Sequence, residues 1–148
     1  MRMRYVLVSL LLVILSLGSV HAQTTGGDLL IESLTASPGD SVRGRSIVAS
    51  RQTGLCLLCH SGPFPEERFQ GNLAPDLTVS AGRLTTSQLR ARIIDASRFN
   101  SGTIMPTYYK AQNLQRVAPK FIGQSILNEQ EIEDVVAFLA SLNKQSMQ

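Results

Sequence analysis

Gly54-Leu55-Cys56-Leu57-Leu58-Cys59-His60 is the stretch whose reading decides the fold. Cys-x-x-Cys-His is the attachment signature of c-type haem. Two thiols three residues apart share one face of a helical turn, where they can form thioethers to the two vinyl groups on one porphyrin edge. His60 follows directly and is carried beneath the ring, where its imidazole can ligate the iron. A zinc site would need two more soft ligands. Cys56 and Cys59 are the only cysteines, and the only other histidine is His21. A thioredoxin-like dithiol would need a βαβ context that the chain lacks. A disulfide across two intervening residues would close too small a loop to stabilise much.

Working outward, the 148 residues suffice for one domain. Met1-Arg2-Met3-Arg4 reads as a basic leader end, followed by an apolar run from Tyr5 to Val20. Val20-His21-Ala22 offers small residues at the cleavage-determining positions, so residues 1–22 are expected to be a signal peptide removed after Ala22. The run is shorter than the ~20 residues a spanning helix needs. A periplasmic protein with no membrane segment after cleavage is therefore expected. Loss of Arg2 and Arg4 takes the net charge from +3 to about +1. So balanced a chain excludes nucleic acid as a partner, because nothing in it would neutralise a run of phosphates.

Residues 23–39 read as an extended N-terminal arm with an apolar patch at Leu29–Ile31 and Leu34. It is either a loose tail or a strip that docks on a partner. Residues 40–145 form the expected cytochrome c domain. Asp40 is an N-cap for a helix from Ser41 to about Arg51, with Gly44, Ile47 and Val48 on its inner face. A glycine inside a helix costs about 1 kcal/mol against alanine, and here it predicts a close helix crossing. Asn128 to Glu131 form a capping box opening a helix to about Asn143, with Ile132, Val135, Val136, Leu139 and Leu142 in register. Its acids, Glu129 to Asp134, are expected on a solvated face. A middle helix begins near Thr85 or Thr86, with Gln88 closing a second box and Leu89, Ile93 and Ala96 facing inward. No segment alternates with period two. The expectation is an all-α class I cytochrome c fold, with three main helices and long loops around one covalent haem that completes the core.

The sixth iron ligand follows by elimination. Met105 is the only methionine between the leader and the tail, and it sits in a loop, Ser101-Gly102-Thr103-Ile104-Met105-Pro106. His60 and Met105 are therefore the expected axial pair, a ligation that raises the reduction potential and suits electron transfer. The rivals are Lys110, Lys120 or an open position. Pro75 is a candidate to accept the second imidazole N–H of His60 through its carbonyl. Tyr108 and Tyr109 either line the haem, with Tyr109 taken into its surroundings alongside Pro75, or are half-buried core tyrosines. Asn100 is a candidate to steady the methionine loop. No nucleophile stands with a base, so no catalytic residue is assigned.

Several segments together resemble the SoxX family, the small c-type cytochrome subunit of the bacterial Sox sulfur-oxidation system. These are Ser33-Leu34-Thr35-Ala36-Ser37-Pro38-Gly39-Asp40, Gly44-Arg45-Ser46-Ile47-Val48, the haem motif, Asn72 to Leu77, Met105-Pro106-Thr107-Tyr108-Tyr109 and Glu131 to Leu139. The resemblance covers residues 33–142. The sequence departs from the family's pattern at Leu55, where Asn is usual, and at Ser101, where Pro is common. The resemblance implies one haem c per chain and a heterodimer with a SoxA-like dihaem or monohaem cytochrome. It also implies transient contact with a SoxYZ-type carrier and a downstream electron acceptor. The pair acts as an L-cysteine S-thiosulfotransferase, with the catalytic site on the partner and this chain, inactive alone, removing electrons. A free-standing periplasmic class I cytochrome c shuttle is the alternative.

Overall fold

The computed structural model describes residues 32–145; the signal-peptide expectation, His21 and the Leu29–Ile31 patch lie outside them. The chain folds into α1 (Ser41–Ala49), α2 (Leu77–Ala81), α3 (Thr86–Asp95) and α4 (Glu129–Gln145), and no described residue is in a strand. Short 3-10 turns occupy Cys56–Leu58, Ala96–Arg98 and Pro119–Phe121. This is the all-α cytochrome c fold. Among the described residues no helix is long and apolar enough to cross a membrane.

Local chemistry sets each start. The Asp40 carboxylate accepts the backbone N–H groups of Val42 and Arg43 at 2.8 and 2.9 Å, satisfying two donors that a helix N-terminus leaves open. Thr85 and Gln88 form a reciprocal capping box on α3. Asn128 and Glu131 do the same on α4, through bonds of 2.9 and 2.8 Å. α1 stops at Ala49, two residues short of the expected end, because Ser50 turns extended and its hydroxyl accepts from Thr53 N. α2 was not foreseen; it is five residues long, too short for periodicity to register, and is signalled only by its N-cap Asp76.

α4 is the spine. It crosses α1, α2 and α3, and presents Ile132, Val135, Val136, Leu139 and Leu142 to a core shared with Val48, Leu57, Phe64 and Leu89. Gly44 sits where α1 meets α4: a Cβ there would lie 1.9 Å from the carbonyl oxygen of Asp134. The close crossing expected from that glycine is present.

The acids of α4 correct the expectation of a solvated face. Glu129 stays exposed, but Glu133 and Asp134 are buried. A helix packed on two sides buries residues beside its apolar stripe as well as those within it. Arg90 on α3 holds Glu133 through two bonds, Nε–Oε1 at 2.7 Å and Nη2–Oε2 at 2.8 Å. Arg43 on α1 holds Asp134 likewise, at 2.7 and 2.9 Å. The same carboxylates accept Leu34 N at 3.0 Å and Asp40 N at 2.8 Å. The described end of the arm is thus tied to α4, and Leu34 packs on the chain's own core. Burial raises the pKa of each carboxyl, but the guanidinium and backbone donors outweigh it and leave both below the ordinary range.

Candidate haem-attachment site

After α1 the chain passes Gly54 and enters Leu55 in the left-handed region, at φ 60°. That conformation suits Asn and strains Leu, which gives a physical reason for the family's usual residue. The turn that follows places Cys56 and Cys59 one above the other, with His60 N donating to Cys56 O at 3.0 Å. Residues 71–77 then run alongside: Ala74 N donates to Cys59 O at 3.0 Å and Leu77 N to Ser61 O at 2.8 Å. These bonds bring the Pro75 carbonyl to 2.6 Å from Nδ1 of His60. With the proton held on Nδ1, the Nε2 lone pair is left for a ligand.

On the other side, α3 and its terminal turn lead to the methionine loop. Asn100 Oδ1 accepts Gly102 N at 3.0 Å and Thr103 Oγ1 accepts Met105 N at 3.1 Å, so Asn100 and Thr103 both shape this loop. Beyond Met105, Tyr108 N donates to Ile93 O at 3.2 Å, tying the segment to α3. The Tyr108 hydroxyl donates to Gly54 O at 2.7 Å, joining the methionine segment to the cysteine loop. Burial, then the nearby Cys56, raise the Tyr108 hydroxyl pKa, so it remains a donor.

Between these two walls lies a cavity of about 590 Å³, the size of a cofactor site. Cys56, Cys59, His60, Pro75 and Met105 all line it, with apolar walls from Val48, Ile93 and Leu139 among others. Tyr109 does not. Its hydroxyl bonds Glu129 Oε1 at 2.6 Å, and Tyr108 takes the place on the wall instead. Sequence spacing left the two neighbours equivalent; their hydroxyl partners, Gly54 O for Tyr108 and Glu129 for Tyr109, separate them.

No protein-family model and no curated protein sequence matches this chain. Among solved structures it is similar to a chain of the SoxXA crystal structure from P. pantotrophus, at 37% identity and a TM-score of 0.69. The match covers 76% of this chain and 88% of that one. This chain belongs to the SoxX family.

The residues of this SoxX-family cavity fit a c-type haem. Both thiols are free and face the cavity that holds the imidazole and the thioether. Burial pushes the Cys56 thiol up to about 11, the opposite of the depressed value a redox-active Cys-x-x-Cys needs for its nucleophile. The dithiol alternative is thereby disfavoured on chemistry as well as on fold. Among the described residues no group of three or more His, Cys, Asp or Glu could hold a bare metal ion. Lys110 Nζ lies 3.7 Å from Asp95 Oδ2, and Lys120 sits over the Phe121 ring; neither lines the cavity.

Proposed function

We propose that this chain is the haem c subunit of a SoxXA-type complex, exported to the periplasm, that carries electrons away while the complex conjugates thiosulfate to a carrier cysteine. The observation that carries this reading is the placement of His60 and Met105 on the walls of the cavity that also holds both thiols. Bound there, haem c would supply an iron that changes by one electron at a time. Cys56 and Cys59 would tether it covalently. His60, oriented by Pro75 O, and Met105 would be the residues that ligate its iron, a pair that would raise the potential and leave no ligand position for a sulfur anion.

The reaction is S2O3²⁻ + R–SH → R–S–S–SO3⁻ + H⁺ + 2 e⁻, with R–SH the cysteine of a SoxYZ-type carrier. A sulfur–sulfur bond forms, the thiol loses its proton, and two electrons must leave. A one-electron centre without a substrate position cannot form that bond. Bond formation therefore belongs to the SoxA-like dihaem or monohaem partner, and this subunit passes the electrons singly to a downstream acceptor.

Co-expression with a SoxA-like cytochrome in a host that matures c-type cytochromes tests the assignment. The chain should keep one haem through denaturing electrophoresis and co-purify with the second cytochrome. A haem-bearing chain that never co-purifies would instead be a free-standing shuttle.

A further inference from the structure

From Ala96 to Asn128 the sequence contains no Asp or Glu, yet it carries Arg98, Lys110, Arg116 and Lys120. This acid-free segment builds the methionine side of the site. The chain there encloses a second groove, of about 600 Å³, between the Met105 loop and the loop of residues 110–126. Its charged lining is Lys110 and Arg116, accompanied by the amides of Asn113, Gln115 and Gln124, and no carboxylate lines it. Lys120 Nζ lies 4.6 Å above the ring of Phe121, itself part of the lining, so a third cation stands at the edge.

The nearest acids on these elements are already engaged. Asp95 is buried and bonded by Ser97, with Lys110 beside it, and Glu129 accepts the Tyr109 hydroxyl. Elsewhere Glu66 and Glu67 pair with Arg45 and Arg51, and Glu133 and Asp134 are locked inside by Arg90 and Arg43. A chain of nearly balanced charge therefore gathers Lys110, Arg116 and Lys120 in one place, with an acid, the buried Asp95, set against Lys110 alone. The groove also shares Leu55, Thr103, Ile104, Met105 and Pro106 with the cysteine-lined cavity, and Ile104 between the two is 74% exposed. Anything seated in the groove rests against the methionine that faces that cavity.

We propose that this groove is the exit docking site, where an acidic loop of the downstream electron-acceptor protein binds around an apolar contact at Ile104. The inference rests on the relay reading and names which surface serves it. Cations around a low-dielectric floor steer a negatively charged partner and raise its association rate, with weak lasting affinity, as suits a carrier that must leave.

Hexacyanochromate(III), a redox-inert paramagnetic trianion, tests the site directly on reduced, ¹⁵N-labelled holoprotein. Amide broadening should centre on residues 104–122 and fade with added salt. Broadening centred near Arg45, Arg68 or Arg83 would overturn the proposal, and this mapping needs no variant. The measurement is then repeated on the complex with the partner cytochrome. Broadening that persists supports a site left open for the acceptor; broadening abolished by the partner means that the groove is the subunit interface, and the acceptor assignment fails. In parallel, Lys110→Glu with Arg116→Glu should slow oxidation of the reduced protein by ferricyanide about tenfold or more at low salt. Arg68→Glu with Arg83→Glu, an equal charge change at exposed positions outside both cavities, should slow it less than about twofold. Equal slowing by the two pairs would refute a localised site. Because the mapping reports groove charge whether or not thiosulfate drives reduction, its failure and that of the relay reading are distinguishable.

Discussion

Gly44→Ala sets two physical effects against each other and asks which is larger. In an open helix the change would stabilise by about 1 kcal/mol, because alanine is the better helix former. In this structure the new Cβ would stand 1.9 Å from Asp134 O, 2.4 Å from Asp134 C and 3.0 Å from Phe138 Cβ. The first two atoms are backbone of α4 and cannot rotate away, so restoring ordinary contact requires the helices to part by more than about 1 Å. That movement loosens the layer between them, including the Arg43–Asp134 bonds at 2.7 and 2.9 Å and the Asp40 N bond at 2.8 Å. Overpacking of a close-packed core costs about 1–3 kcal/mol and occasionally more, and the two backbone atoms of α4 in the way put this case at the upper end. After the propensity gain, a net loss of about 2–3 kcal/mol remains, equivalent to a fall in Tm of about 8–15 °C for a domain of this size. The assay is thermal and guanidinium denaturation of the holoprotein at pH 7, followed by far-ultraviolet circular dichroism. A variant as stable as the parent, or more so, would refute the close crossing and with it the account of how α4 organises the fold.

Two further outcomes follow from the buried charges and the methionine. Glu133→Gln removes the negative half of the buried pair with Arg90 and should cost about 3–5 kcal/mol at pH 7. Because the folded pKa of Glu133 lies below its unfolded value, its contribution is present above the ordinary carboxylate range and is lost as pH falls through the folded pKa; the variant should therefore show a shallower loss of stability below about pH 4 than the parent, and identical acid profiles would count against it. Met105→Ala should abolish the far-red sulfur-to-iron absorption band of the oxidised holoprotein and lower its potential; an unchanged spectrum would assign the sixth position to another group.

What the sequence disclosed follows from how local each signal is. Cys56, Cys59 and His60 are adjacent in the chain, and the caps at Asp40, Thr85 and Asn128 act within one turn, so these could be read directly. Gly44 was legible because a glycine inside a helix needs a reason. Glu133 and Asp134 were misread as solvated, since one apolar stripe explains packing against one neighbour and α4 has more than one. Their partners Arg43 and Arg90 lie more than 40 residues away and no pattern connects them. The role of Tyr108 was hidden for the same reason: the hydroxyl that distinguishes it from Tyr109 reaches Gly54, 54 residues earlier. From sequence Lys110 and Lys120 stand out only as rival iron ligands; the irregular loop gathers them with Arg116 around one groove.

The central claim is that this chain relays electrons taken from thiosulfate elsewhere. Anaerobic stopped-flow mixing of the oxidised holoprotein with thiosulfate and reduced carrier, with and without the partner cytochrome, tests it most directly. The account predicts that the haem bands of this chain shift to the reduced form only when partner, carrier and thiosulfate are all present. Rapid reduction by thiosulfate alone, without partner or carrier, would contradict it.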